Sequence, residues 1–168
     1  MKKLLILCVV LCLAGCSYEI SLKGLKETYP KAVKETIEEL SMSVQKKLMI
    51  PQELPFNPNY VRFSYAKENS LNKIEKVSRT EFLFSAAQVN FHIVHRLNPE
   101  QDLNETAGRT IKIKGRETAV KHDNSQIKQL EWEEEDGSTI TLSMIISREA
   151  EGKYTLSDLV DAAKSMYE

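Results

Sequence analysis

The sequence predicts an α+β domain: a curved antiparallel meander sheet covered on one face by an N-terminal and a C-terminal helix. Three observations predict it. Apolar residues recur at helical spacing at Val33, Ile37, Leu40, Val44 and Leu48. From Leu54 the apolar period drops to two and holds, strand after strand, as far as Ile146. Helical spacing then returns at Leu156, Leu159, Val160, Ala163 and Met166. Strands that alternate bury one face only, and helices from both ends of the chain are available to cover it.

In chain order, residues 1–15 come first, as a leader. Met1-Lys2-Lys3 is basic, Leu4 to Gly15 is apolar, and polar residues follow at once. This is the layout of an export signal. The apolar run is about a dozen residues, short of the roughly 20 that span a bilayer as a helix. Leu13-Ala14-Gly15-Cys16 resembles the lipobox of bacterial lipoproteins. That resemblance implies a diacylglycerol on the Cys16 thiol, cleavage before Cys16, and a partnership with the membrane through covalent lipid. It accounts for the three cysteines: Cys8 and Cys12 leave with the leader and Cys16 is capped. The remaining domain has neither thiol nor disulfide, so its core alone must hold it together. Two or three acyl chains anchor firmly, because each buried CH2 contributes about 0.8 kcal/mol and one chain is marginal.

Residues 16–27 read as a tether, and residues 28–168 as one domain. About 150 residues suffice for a real core. The chain carries a net charge of −1, and loss of Lys2 and Lys3 leaves 21 basic against 24 acidic side chains. That balance excludes nucleic acid as a partner, which calls for a strongly basic surface.

Thr28-Tyr29-Pro30 opens a helix over 28–50, with Pro30 in the first turn. Its polar face carries Lys34, Glu35, Glu38, Glu39 and Lys46, and Pro51 closes it. The sheet occupies 54–147. Asn57-Pro58-Asn59 turns into a strand with Val61, Phe63 and Tyr65 on one side. "TEFLFSAAQVNFHIVHRL" gives two strands joined around Ala87-Gln88, and Asn98 to Arg109 is a polar loop. "TIKIKGRETAV" is a hairpin with Gly115-Arg116 at its turn, since a first-position glycine suits a two-residue connection.

The next hairpin is decided by register. A two-residue Asp136-Gly137 turn pairs Trp132 with Thr141 and mixes the core and solvent faces. A three-residue loop, Glu135-Asp136-Gly137, pairs Trp132 with Ile140 and Leu130 with Leu142. Gly137 then occupies the left-handed position of a G1 bulge. The C-terminal helix covers 155–167. Thr155 and Asp158 form a capping box, and Tyr154 and Leu159 a hydrophobic staple.

Ile113-Lys114-Gly115, Leu130-Glu131-Trp132, Asp136-Gly137 and Ala162-Ala163-Lys164-Ser165-Met166, in that order, resemble a family of uncharacterised extracytoplasmic domains. These occur in lipoproteins of Gram-positive bacteria, often spore-formers, and in the outer regions of some membrane-bound anti-sigma factors. The resemblance spans about Leu54 to Tyr167. It implies an α+β fold, an extracytoplasmic location and a part in envelope sensing or sporulation, and it assigns no catalytic residue.

Candidate chemistry is sparse. His92 and His95 alternate along a strand with Phe91 and Ile93, so they point to opposite faces and do not share a metal; His92 belongs on the surface and His95 near a sheet edge. His122 and Asp123 are neighbours in a turn, poor placement for a catalytic dyad. Glu131, Glu133, Glu134, Glu135 and Asp136 read as a solvated strand face and turn in preference to a cation site. Asn104-Glu105-Thr106 is a chance glycosylation triplet. No catalytic residue, metal site or cofactor is implied. The expectation is a lipid-anchored module on the outer face of the cell membrane. It acts without catalysis, through envelope proteins or wall components. The alternative is a carrier of an apolar ligand, with Phe82, Phe84, Phe91 and Ile93 lining a cleft between sheet and helices.

Overall fold

The computed structural model describes residues 17–69, 75–97 and 109–168. Cys16, the leader, and most of the Asn98–Arg109 loop with Asn104-Glu105-Thr106 lie outside the described residues. The α+β class holds: a seven-stranded antiparallel sheet with helices from both ends of the chain packed against it.

The strands are β3 (Tyr60–Asn69), β4 (Glu75–Ala86), β5 (Val89–Arg96), β6 (Arg109–Ile113), β7 (Arg116–Asp123), β8 (Ile127–Glu133) and β9 (Thr139–Ile146). Their spatial order is β3-β4-β5-β9-β8-β7-β6. Two meanders therefore meet in the middle, where β5 pairs with β9, in place of one continuous meander. A short ribbon, β1 (Tyr18–Glu19) with β2 (Glu53–Leu54), lies apart from this sheet.

Cross-strand register builds the core in rows. Phe63, Phe82, Ile93, Leu142, Leu130 and Val120 are successive partners across six strands. All are buried. A parallel row runs Val61, Phe84, Phe91, Met144. Each such side chain contributes on the order of 1.5–3 kcal/mol by leaving water, and together they set the inner face.

The N-terminal segment departs from expectation. Residues 17–27 are not a tether. Ser21 caps helix α1 (Leu22–Thr28) by accepting from the Gly24 amide at 3.1 Å, and Leu25 is buried. The single helix over 28–50 is also corrected. Tyr29, held out of the helical region at φ −123° and ψ 63° by the proline ring that follows it, precedes a π-helical turn (Pro30–Lys34) that runs into α2 (Glu35–Glu38). The chain breaks at Ser41 before α3 (Met42–Gln45), and Gln45 donates to the Leu40 carbonyl at 2.9 Å. Val33, Ile37 and Leu40 are buried as the stripe predicts, against β3.

The β8–β9 hairpin has the predicted register, Trp132 opposite Ile140 and Leu130 opposite Leu142, with Gly137 at φ 78°. The β6–β7 turn is corrected by one residue. Ile113 faces Arg116, so Lys114 (φ 48°) and Gly115 (φ 87°) are the turn, both in the left-handed region of a type I′ connection. At the C-terminus α4 (Leu156–Ser165) carries the capping box: the Thr155 amide donates to Asp158 at 2.6 Å and the Asp158 amide donates to Thr155 Oγ1 at 3.4 Å. Tyr154 and Leu159 are buried as the staple requires.

Candidate functional site

One end of the sheet carries the β6–β7 and β8–β9 turns, and two partly buried polar clusters lie beneath them. The first centres on His95, whose register partners are Thr80 and Ile140. Both partners are buried, as is His95. The expectation of an edge position is corrected, because β5 is the third of seven strands. The imidazole and the hydroxyl of Ser138 are 2.8 Å apart through Nε2. Ser138 Oγ has one hydrogen, and it goes to Asp136 Oδ1 at 2.6 Å. Nε2 must therefore be the donor to Ser138. Asp136 Oδ2 in turn accepts from Lys47 Nζ at 2.6 Å.

The polarity of this chain decides its chemistry. In a nucleophilic triad the histidine stands between serine and carboxylate and takes the serine proton. Here serine stands in the middle and gives its proton to the carboxylate, so its oxygen is not activated. His95 Nδ1 is buried with no hydrogen-bond partner among the described residues; the Lys47 backbone carbonyl is nearby but outside hydrogen-bond geometry. Burial lowers the His95 pKa, against the opposing pull of the negative charges on Asp136 and Glu134. The net effect favours the neutral imidazole. Asp136 is held well below the usual carboxylate range, first by the Lys47 hydrogen bond and then by Ser138.

The second cluster joins α4 to the sheet. Trp132 Nε1 donates to Tyr167 Oη at 2.7 Å and to Glu134 Oε1 at 2.9 Å. Tyr167 donates to the same carboxylate oxygen, and Arg116 Nε donates to the other at 3.2 Å. The Arg116 guanidinium lies 4.2 Å from the centre of the Tyr167 ring. Burial, then the bond to Glu134, raises the Tyr167 pKa above its ordinary value. The arrangement is saturated: a fork of donors on one carboxylate, with a cation stacked on the ring.

The other sequence candidates are spread apart. His92 faces the opposite side from His95, as alternation predicts, with Nε2 3.4 Å from Glu81. Asp123 pairs with Lys128 at 3.0 Å and His122 is exposed. The acidic run divides: Glu131 meets Lys121 at 3.2 Å and Thr141, Glu134 enters the Trp132 cluster, and Asp136 binds Lys47. Among the described residues no group of three His, Cys, Asp or Glu side chains is placed to hold a metal ion. Phe82, Phe84, Phe91 and Ile93 come together in the buried core. All four are buried, and the rings of Phe82 and Phe84, and of Phe84 and Phe91, stand 6.0 and 6.3 Å apart.

Lys47, Ser138, Arg116 and Tyr167 were not singled out in the sequence. Ser138 had a local signal, since Asp136-Gly137-Ser138 places a side-chain acceptor two residues before an amide, and that amide donates to Asp136 at 3.1 Å.

The outer face of the sheet is the remaining candidate surface. Arg62, Leu83, His92, Ser143 and Gln129 form one row, and Ser64, Glu81, Val94, Thr141 and Glu131 the next. Charges pair along and across strands there: Arg79 with Glu81 at 2.6 Å, Arg96 with Glu131 at 3.9 Å, and Lys121 with Glu131 at 3.2 Å. No family model, curated protein or solved structure matches the chain.

Proposed function

We propose that this chain is a lipid-anchored extracytoplasmic module that works by presenting a surface, without catalysis. It is attached through Cys16 to the outer face of the cell membrane, and its partners are envelope proteins or wall components. The carrying observation is the one-sided build of the sheet. Helices pack on the inner face, and the outer face meets solvent with ion pairs and half-buried apolar side chains such as Leu83 and Val94. At about 4.8 Å per strand, seven strands make a face about 29 Å wide, of a size suited to a protein or wall surface. The lipobox supplies the anchor, and no helix among the described residues is long and apolar enough to cross a membrane. The resemblance to extracytoplasmic domains of Gram-positive lipoproteins points the same way.

The test places a photo-cross-linking residue at His92, in the middle of the outer face, in intact cells. Defined adducts with envelope proteins or wall fragments are expected, and Cys16→Ser should move the protein out of the membrane fraction. Absence of adducts at His92, together with a stoichiometric lipid co-purifying with the domain, would replace this reading with that of a carrier.

A further inference from the structure

The described chain has five exposed large apolar side chains, and four gather at one end of the molecule. Tyr60, at 46% exposure, begins a row on the outer face that runs through Ser85 and Asn90 to Ile145 and Ile127, 49% and 37% exposed. This row crosses the end of the sheet opposite the β8–β9 turn. Tyr18, 41% exposed, lies at the same end, where it shares a surface depression with Pro58, two residues before Tyr60. The fifth, Met42, belongs to α3, which leads to Lys47 and its bond to the β8–β9 turn at the far end.

The chain enters the fold at this same end. Ser17 borders a depression with Pro55 and Tyr154, and Tyr18 is held by its pairing with Leu54. With β1 in the ribbon and α1 in the core, no tether separates the fold from residue 16. We infer that this end is a membrane-contact base. Tyr18, Tyr60, Ile127 and Ile145 sit in the headgroup region of the bilayer, and the outer face stands roughly upright from it.

The inference rests on Cys16 being acylated, since one residue, about 3.8 Å between Cα atoms, then separates the lipid from Ser17. A tyrosine with an apolar ring and a polar tip suits the boundary between water and hydrocarbon. Charge near the base is not basic: beside Ser17, Lys153 stands against Glu53, Asp158 and Asp161. The contact is therefore with the lipid interface itself and does not need anionic headgroups.

The domain supplies no thiol besides Cys16, which makes a direct test available. The acylated chain carrying Ile145→Cys is labelled with an environment-sensitive fluorophore and reconstituted into phosphatidylcholine vesicles. Glu135→Cys, in the β8–β9 turn, is the control, and Ile127→Cys replaces Ile145→Cys should that variant misfold. The base label should shift to the blue and be quenched several-fold more by nitroxide lipids than the turn label. The N-terminal peptide mass is read on the same samples. If Cys16 is acylated and aqueous iodide quenches both labels alike, the base is not on the membrane, although the lipoprotein reading survives. A base label shielded from iodide but untouched by nitroxide lipids means a protein partner or a second copy covers it, and overturns the inference. An unmodified Cys16 overturns both.

Discussion

His95 shows how one buried side chain makes this domain sensitive to acid. Its folded pKa lies below the ordinary value, so on acidification the unfolded chain takes up the proton first, near pH 6.5. Stability is full above that pH and is lost as pH falls through the unfolded value toward the folded one. Thermal unfolding of wild type should therefore drop between pH 7 and 5 more steeply than that of His95→Gln, which keeps a donor for Ser138 but does not titrate. Equal slopes would show that His95 is not the sensor. The partners differ in weight. Asp136 and Lys47 are half exposed, so Asp136→Asn should cost at most about 1 kcal/mol. Ser138→Ala leaves the buried His95 donor unpaired and should cost about 1–3 kcal/mol. Urea unfolding of the two variants checks the order, and a larger loss in Asp136→Asn would reverse it. Alternation already placed His95 on the same side of its strand as Phe91 and Ile93, opposite His92. Its central position was not legible, because alternation fixes faces and says nothing about strand order; the β5–β9 pairing joins residues some fifty positions apart.

At the level of elements, the two hairpins mark what a sequence pattern decides. In β8–β9 the competing registers differ by an odd step, so one of them puts core residues in water, and the three-residue loop was readable. Gly137 then carries a defined cost. A Cβ there meets nothing nearer than Glu133 Oε1 at 4.0 Å, so Gly137→Ala should lose about 1–2 kcal/mol from the left-handed backbone alone, read as a lower urea midpoint with unchanged slope. No loss would mean that the loop relaxes to another turn. In β6–β7 the two candidate turns differ by an even step. Both leave Ile111, Ile113, Thr118 and Val120 on one face, so alternation cannot choose between them. The observed register sets Arg116 opposite Ile113, within reach of Glu134 and Tyr167, a tertiary preference that forces Lys114 to φ 48°. The helix break at Ser41 was hidden for a similar reason. Leu40 before it and Val44 after it pack on the same core, so the apolar stripe runs on across the interruption.

Across the whole molecule, the N-terminal segment determines how the fold relates to whatever holds it. Its sparse apolar residues show no stripe, since a seven-residue helix buries a single side chain, and so it looked like a tether. The structure instead closes the inner layer with it. Ile20 donates to the Gln52 carbonyl at 2.7 Å, and Gln52 and Glu53 donate to the buried Ser165 hydroxyl at 3.1 and 3.2 Å. The two ends of the chain are thus joined through β2, and Leu25 packs into the same core. If residues 17–28 belong to the cooperative unit, Leu25→Ala should cost about 2–3 kcal/mol. The exposed neighbour Lys23→Ala should stay within about 0.5 kcal/mol of wild type. Both are measured by urea unfolding followed through Trp132, buried in the same core as Leu25. A tether would give two silent substitutions. A cost confined to Leu25 means that α1 belongs to the folded unit, and if the proposed anchor at Cys16 holds, so short a connection constrains the orientation of the sheet as well as its distance from the surface.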